Sequence, residues 1–467
     1  MDSPRSLLPL AILAMLPAYA GLGHGQTNAP DPSVGSAPAS AVEIAADVSA
    51  QAGPAVGYKR GAVGQTEDAA KANLNLANLD ITLTQSDAFA ATGDDYEFTV
   101  DSEFVEMAKS AVNGGLEIVN QVSGTPPVFA IDPNNRPLGR ANYFPLPQAG
   151  KPMEDWQSVF VKWAIRTDKA IGGDNYHSIW IGTQEPSHTI GRISEDPDSA
   201  ESESDRDDNL GRFIDFWKPI AESLRSAGAK VGGVQLPSGS ADRYQSAVDL
   251  LKGRNVELDF LTFQIYQLGS PGCLDAAVSA LKSYREKYPK AQILIDRGLW
   301  FKQMRAKAGD EGIGAKEGHD SSEGATWFLR SEKQIMDQAE FIYGYCIGKP
   351  GNAPNMTWTI AKWLQGAPKE RRPLTALPPG MDGFVLADDS ALHAALWNIE
   401  SAEYNVDLRF LNVHWPGNSQ LSVLLGDGPE MRDVSGAIQW DGHDKIAGLH
   451  LGKNQFALIS LREGPSQ

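Results

Sequence analysis

Two acidic residues follow short apolar runs in this sequence, and together they could perform acid–base chemistry. Glu185 and the preceding Gln184 come after the apolar run 178–183, and Asp296 ends the run 292–296. Glycoside hydrolysis requires a pair of carboxyl groups, because one protonates the leaving oxygen while the other attacks the anomeric carbon or activates water. A shared pocket can keep one group protonated and the other ionised. A solvated glutamate after an ordinary strand is the alternative interpretation of Glu185.

Short apolar runs alternate with longer amphipathic segments from about residue 56, a pattern typical of parallel β/α folds. Strands are predicted at residues 55–60, 79–84, 116–123, 178–183, 230–236, 259–266, 292–296 and 356–363, and helices at 101–113, 154–170, 210–227, 241–252, 273–287 and 325–347. This rhythm predicts an α/β fold, a closed (β/α)8 TIM barrel whose strand-to-helix loops share one face. An open doubly wound sheet is the alternative, but no glycine-rich phosphate loop follows the first strand.

In such a barrel the ends of the fourth, sixth and seventh strands converge on one pocket. Polar and aromatic residues on or just past the predicted strands could bind a sugar, since indole faces stack on sugar rings and amide and hydroxyl groups bond to sugar hydroxyls. The predicted substrate-binding residues are Gln184, Gln264, Tyr266, Arg297, Trp300 and Trp358. Trp180 lies within a buried run and is predicted to be core.

Several short motifs occur in an order known from one enzyme group. The turn Gly124-Thr125-Pro126 follows the third strand, Trp180 and Gln184-Glu185-Pro186 follow on the fourth, and residues 259–266 read Asp-Phe-Leu-Thr-Phe-Gln-Ile-Tyr. These segments resemble the clan A glycoside hydrolases, above all family thirty-nine, the β-xylosidase and α-L-iduronidase family. The resemblance covers residues 56–467 and implies a barrel with a C-terminal β-sandwich.

The resemblance implies roles for individual residues. Glu185 matches the general acid/base, Gln184 the amide that binds the sugar 2-hydroxyl, and Tyr266 the hydroxyl beside the second carboxylate. Gln264 stands where the family has histidine. Arg297 aligns with the nucleophilic glutamate and Asp296 lies one residue earlier, so Asp296 can serve only if the strand end bends or its register slips by one.

The second catalytic group therefore has three interpretations. Asp296 could be the nucleophile, or the base of an inverting reaction. Alternatively, the carboxyl group could come from the long loop 298–324, whose candidates are Asp310, Glu311, Glu317, Asp320 and Glu323. In the third interpretation the protein is a polysaccharide lyase acting on a uronic acid, in which Arg297 neutralises the carboxylate and Tyr266 or Glu185 moves the proton. A non-catalytic glycan-binding barrel in exopolysaccharide assembly is a rival to all three.

The two ends of the chain differ from the barrel in composition. Residues 1–20 are predicted to be a signal peptide, with Arg5, the apolar stretch 7–16 and Ala18-Tyr19-Ala20, so we expect an exported protein, periplasmic or extracellular. Residues 21–55 are predicted to be a flexible leader rich in Gly, Ala, Pro and Ser. The barrel is predicted at 56–372 and a small β-sandwich at 375–467.

Charge and composition narrow the partners. The formal net charge of −18 argues against nucleic acid, and no stretch after the signal peptide is long and apolar enough for an integral membrane segment. The expected partner is a poly- or oligosaccharide. Cys273 and Cys346 are predicted to be unpaired thiols, and no cofactor or metal site is predicted. The acidic segment 195–208 is predicted to be a solvated flap, with a calcium site as the alternative.

Overall fold

The computed structural model describes residues 39–50, 60–63, 76–82, 89–92, 95–123, 125–129, 150–182, 203–233, 249–268, 285–301, 321–336, 341–345, 356–412 and 419–463. The chain divides into two compact units. One is formed by residues 54–300 and 330–369, and the other by residues up to 53, 301–329 and 370–467.

Described strands and helices alternate between residues 95 and 232. The strands are β1 (Ser40–Asp47), β2 (Arg60–Val63), β3 (Leu76–Thr82), β4 (Phe89–Thr92), β5 (Asp95–Phe98), β6 (Glu117–Ser123), β7 (Ile179–Ile181), β8 (Lys230–Gly232), β9 (Phe260–Leu268), β10 (Gln292–Phe301) and β11 (Phe341–Tyr345). The helices are α1 (Ser102–Asn113), α2 (Lys151–Gly172), α3 (Glu203–Ser226), α4 (Ser322–Met336) and α5 (Met356–Gln365). None of the described helices is long and apolar enough to cross a membrane.

Eight of these strands form a closed barrel in the order β10-β11-β2-β3-β6-β7-β8-β9. The neighbouring strands from β10 round to β9 pair in parallel. At the remaining junction the Gln292 N–H donates to the carbonyl of Asp259, just before β9, at 2.8 Å. The closed ring rules out the open doubly wound sheet, and it brings the carboxyl ends of all eight strands to one face.

An apolar cluster of five buried residues joins strands on opposite sides of the barrel. Val119, Ile179, Ile181, Phe260 and Leu294 are buried and pack together. They come from β6, β7, β9 and β10, and β6 and β10 stand opposite each other in the ring. A cluster that joins opposite strands has to lie inside the ring, so these five residues mark the inner face of their strands.

The outer face of the same strands packs on helices. The ring of Trp180 lies 6.0 Å from Phe160 and 5.8 Å from Trp163, both on α2. A methyl group on Gly182 would lie 2.9 Å from the ring of Phe213 on α3, whereas one on Gly232 would lie 3.0 Å from Ile181 inside the barrel. Inner and outer positions therefore alternate along the strands, as a regular β-strand requires.

Two of the predicted elements near the end of the barrel are wrong. Residues 356–363, predicted as the eighth strand, lie in helix α5, because Met356, Ile360, Ala361 and Leu364 are buried at helical spacing. The eighth strand is instead β11, which falls within the predicted helix 325–347. Residues 203–208 of the predicted acidic flap form the start of helix α3.

The second unit contains a β-sandwich. Its further strands are β12 (Arg371–Arg372), β13 (Leu374–Thr375), β14 (Met381–Ala387), β15 (Ala391–Asn398), β16 (Tyr404–Leu411), β17 (Gln420–Asp427), β18 (Glu430–Asp433), β19 (Gln439–Trp440), β20 (Lys445–Leu451) and β21 (Gln455–Arg462). One sheet has the order β13-β1-β16-β20-β19 and the other β12-β14-β15-β21-β17-β18. Apolar residues from both sheets, among them Val406, Leu396 and Ile459, form one buried core.

Strand β1 lies within the segment that the sequence predicted to be a flexible leader. Residues 40–47 pair in parallel with β16, from Ser40 beside Tyr404 to Asp47 beside Leu411, and Ile44 is completely buried in the sandwich core. The prediction of a flexible leader is therefore wrong for residues 40–47. The alternation of Val42, Ile44 and Ala46 with more exposed residues is a short strand signal that the surrounding Ala-, Pro- and Ser-rich composition outweighs.

Candidate active site

The predicted catalytic pair belongs to β10 and to the segment that follows β7. Glu185 and Gln184 lie outside the described residues, which end at Gly182 on this side. For Asp296, Arg297 and Trp300 on β10, and for Gln264 and Tyr266 on β9, the structure describes the strand backbone and not the side chains. The described neighbours on each strand therefore define the site.

Strand β7, which leads to Glu185, is fixed to helix α2 by a buried carboxylate. Asp168 on α2 accepts hydrogen bonds through Oδ2 from the backbone N–H of Ser178 at 3.1 Å and from the indole Nε1 of Trp180 at 3.0 Å. Only 3% of Asp168 is exposed, and this burial raises the pKa of its carboxyl group, while the bonds from Ser178 and Trp180 oppose that rise. Sequence reasoning missed Asp168, although an acidic residue beside the apolar stripe of helix 154–170 was a usable signal.

A buried hydrogen bond also joins β8 to helix α3. The indole Nε1 of Trp217 donates to the carbonyl of Gly232 at 3.0 Å, and its ring stacks on Phe213 at 6.5 Å. Gly233, which follows, has a φ of 146°, and a methyl group there would lie 2.9 Å from Trp217 Nε1. Glycine at 233 allows this approach, so the close packing of indole on strand depends on the Gly232-Gly233 pair.

Strands β9 and β10 present buried residues to the inside of the barrel just before the predicted site positions. Phe260 and Leu294 belong to the inner cluster. Thr262 is 1% exposed, and its hydroxyl oxygen lies 2.8 Å from where a methyl group on Gly232 would sit, on the same inner side. Ile293, adjacent to Leu294, is buried and is not part of the inner cluster. The inner and outer positions of both strands are thus established up to residues 262 and 294.

Two candidates from the sequence are located elsewhere. Trp358, predicted at a strand end, lies partly buried on helix α5. Glu323 is the one loop candidate within the described chain, and it lies on α4 in the same unit as the sandwich, where its Oε1 accepts from Asn454 Nδ2 at 2.9 Å. Asp310, Glu311, Glu317 and Asp320 lie outside the described residues, as do Cys273 and Cys346. Within the described residues, no group of three or more His, Cys, Asp or Glu is arranged to hold a metal ion.

Comparison with known proteins identifies the fold. No protein-family model and no curated protein sequence matches this chain. Among solved structures, a GH39 β-xylosidase from Caulobacter crescentus superposes with a TM-score of 0.60 at 11% identity, covering 90% of this chain and 100% of that one. A glucosidase from Croceicoccus marinus gives 0.58 at 13% identity over 91% and 99% of the two chains.

A third structure broadens the comparison. A GH30 endoxylanase from Clostridium papyrosolvens C71 gives a TM-score of 0.55 at 11% identity, covering 90% of this chain and 100% of that one. The similarity thus spans nearly the full length of each protein and extends over more than one glycoside hydrolase family. At this level of identity it shows the fold, which this chain shares with these glycoside hydrolases.

Proposed function

We propose that this protein is a clan A glycoside hydrolase that cleaves a poly- or oligosaccharide, with Glu185 as proton donor and Asp296 as the second carboxyl group. The observation that carries the proposal is the inner face of the barrel. Inner and outer positions alternate along each strand, so the face of a position on β10 follows from its distance in sequence to a buried residue of known face. This alternation supports Asp296 over the other candidates for the second carboxyl group. Carboxylate acid–base hydrolysis needs no metal or other cofactor.

Asp296 is two positions beyond Leu294 on the same strand, and positions two apart share a face. Leu294 is in the inner cluster, so position 296 is an inner position and position 297 an outer one. This count supports Asp296 without the bend or register slip that alignment with the family requires. It also weakens the lyase interpretation, because that reaction needs Arg297 in the pocket to neutralise a substrate carboxylate.

The same count applies to β9 and β7. Gln264 and Tyr266 continue the inner series of Phe260 and Thr262, which supports them as substrate-binding residues. Ile179 and Ile181 are inner residues of β7, the strand that leads toward Glu185 in the chain. Positions 264, 266 and 296 lie beyond the inner residues Phe260 and Leu294, in the direction of the carboxyl ends of their strands, where barrel enzymes bind their substrates.

In the proposed reaction Glu185 gives a proton to the glycosidic oxygen as the bond to the anomeric carbon breaks. Asp296, ionised, either attacks that carbon or removes a proton from an attacking water. Aspartate is one methylene shorter than the family's glutamate, and the wider gap favours a water molecule between carboxylate and sugar. We therefore propose the inverting course, in which the configuration at the anomeric carbon changes.

Three further parts of the proposal rest on the sequence motifs and the described helices. Membership of family thirty-nine is supported by the motif order from residue 124 to 186, whereas the structural similarity extends to family 30 as well. A complete (β/α)8 arrangement is supported by the helices α1 to α5 that accompany the closed ring. Export to the periplasm or the medium is supported by residues 1–20.

The test is hydrolysis of neutral and acidic polysaccharides and of aryl glycosides by the wild type, Glu185→Gln and Asp296→Asn. Loss of a general acid costs about 10² to 10⁴-fold in rate. Glu185→Gln should lose that much on polysaccharide but retain activity on a dinitrophenyl glycoside, whose leaving group needs no proton. Asp296→Asn should lose activity on both substrates. The exposed Asp174→Asn variant is the control.

Each alternative has its own outcome in this test. Unsaturated products that absorb in the ultraviolet would identify a lyase. Glycan binding without any turnover of the panel would identify a non-catalytic barrel. Full activity of Asp296→Asn on both substrates would refute the role of Asp296 and direct attention to the acidic residues of the loop 298–324.

A further inference from the structure

We infer that Asp80 is a third carboxyl group of the proposed site, one that binds sugar hydroxyl groups and selects neutral over uronic acid substrates. The inference rests on the proposed function and deepens it by naming a substrate class. Asp80 lies on β3, the second strand of the barrel in chain order, two residues before the strand ends at Thr82. The face of the barrel on which Asp80 lies is deduced from the register of β3 with its neighbouring strands.

The register of β3 with β6 puts Asp80 on the inner face. Asn78 pairs with Val119 and Asp80 pairs with Gln121 in the parallel ladder. Partners in a parallel ladder share a face, and Val119 belongs to the inner apolar cluster. Positions 78, 80 and 82 of β3 are therefore inner positions.

A second route round the ring gives the same answer independently. Leu294 of the inner cluster pairs with Ile342, and Gly344, two residues on, pairs with Gly61. Gly61 in turn pairs with Leu76, the first residue of β3. Even-numbered positions of β3 are thus inner positions by this route as well, although it approaches β3 from the opposite side of the barrel.

The residue types on β3 agree with this assignment. The outer series is apolar, with Ala77, Leu79 and Ile81, as expected of a strand that faces helices. The inner series begins with Leu76 and continues with Asn78, Asp80 and Thr82, so polar residues occupy its second half up to the carboxyl end of the strand. A carboxylate on the inner face of a closed barrel is costly in an apolar layer, and it is expected only where water or a polar ligand reaches it. The ligand-binding face is such a place.

An ionised carboxylate accepts hydrogen bonds and donates none. It can hold two neighbouring hydroxyl groups of a sugar ring, and such charge-assisted bonds are roughly twice as strong as neutral ones. It repels the carboxylate of a uronic acid. Asp80 and Asp296 occupy inner positions of their strands, and acidic residues on this face favour a neutral sugar in the cleaved position.

The test measures affinity and turnover separately. Affinities for a neutral and a uronic oligosaccharide are determined by calorimetry for Glu185→Gln, with and without Asp80→Asn, so that substrate is not consumed. Asp80→Asn should weaken binding of the neutral sugar at least tenfold and narrow its preference over the uronic sugar. In the otherwise wild-type enzyme it should raise KM more than it lowers kcat. Asp174→Asn, also aspartate to asparagine but on an exposed loop, should change neither.

A second measurement needs no variant and so remains decisive if Asp80→Asn fails to fold. Carbodiimide labelling of the wild type, read by mass spectrometry, should modify Asp80, and saturating neutral oligosaccharide should suppress that modification while Asp174 stays labelled. Unchanged labelling of Asp80 with sugar bound, or affinity within twofold in Asp80→Asn, would overturn the inference. A wild type that hydrolyses nothing would refute the proposed function alone, because the binding and labelling results would still test whether Asp80 binds sugar.

Discussion

Replacement of Asp168 tests how strand β7 is held in position. In Asp168→Ala the N–H of Ser178 and the indole N–H of Trp180 both lose their acceptor in a buried place. An unsatisfied buried donor costs about 1–3 kcal/mol, so the two together should lower the free energy of unfolding by about 2–6 kcal/mol. Asp168→Asn keeps an acceptor oxygen and should cost less.

The pH dependence separates these variants further. Burial raises the pKa of Asp168 above its ordinary value of 3.8, so the folded state holds this proton more tightly than the unfolded state does. Its contribution to stability is therefore fully present below 3.8 and declines as the pH rises to the folded-state pKa. Asparagine cannot titrate. The stability of the wild type relative to Asp168→Asn should fall over that interval, by about 1.4 kcal/mol for each pH unit that separates the two pKa values.

The assay is urea unfolding from about pH 3 to pH 7, followed by tryptophan fluorescence because Trp180 donates to Asp168 and its ring packs on Trp163. Comparison with Asp168→Asn at each pH cancels the titration of all other groups. A difference that stays flat, or that grows in favour of the wild type as the pH rises, would refute the argument that burial dominates the energetics of this carboxyl group.

Two other substitutions test the packing of each unit. Gly232→Ala should destabilise the barrel by about 1–3 kcal/mol, because its methyl group would lie 2.8 Å from Thr262 Oγ1 and 3.0 Å from Ile181. Thermal unfolding measures the loss, with Gly253→Ala as the control because a methyl group there meets no atom within 4 Å. Equal destabilisation by the two variants would contradict the prediction. Ile44→Ala should cost the sandwich about 2–5 kcal/mol through the cavity left in its core. The control is Glu43→Ala, on the exposed side of the same strand, where Glu43 makes a 3.9 Å ion pair with Arg409; it should cost less than about 1 kcal/mol. If chemical denaturation gave Ile44→Ala and Glu43→Ala the same free energy of unfolding, β1 would contribute little to the stability of the sandwich.

The sequence predicted most of the barrel because its strands are apolar runs between amphipathic helices. It failed where local signals compete. The β-branched Thr357, Thr359 and Ile360 favour a strand, but burial at helical spacing makes that segment helix α5. In β11 the aromatic run Phe341–Tyr345 directly follows a strong helical pattern, so the boundary between them was hidden.

The site was predictable only in part. The side chains that could act were visible as residue types after apolar runs, but their faces depend on register, which is set by pairing between distant strands. Alignment therefore favoured position 297, whereas counting from the buried Leu294 favours Asp296. No sequence motif indicated Asp80, because the face on which a single acidic residue of a strand lies is known only from strand pairing, here the pairing of Asp80 with Gln121.

The pairing of β1 with β16 has a consequence for synthesis of the chain. Ser40 leaves the ribosome long before Tyr404, its partner in the sheet, so β1 has to wait until β16, the middle strand of that sheet, has been made. Closing so long a loop slows folding, and during the delay an apolar strand has no edge to pair with. The barrel unit, whose strands follow one another closely in the chain, can form first. Completion of the sandwich then follows the barrel, because β1 cannot pair before β16 has been made.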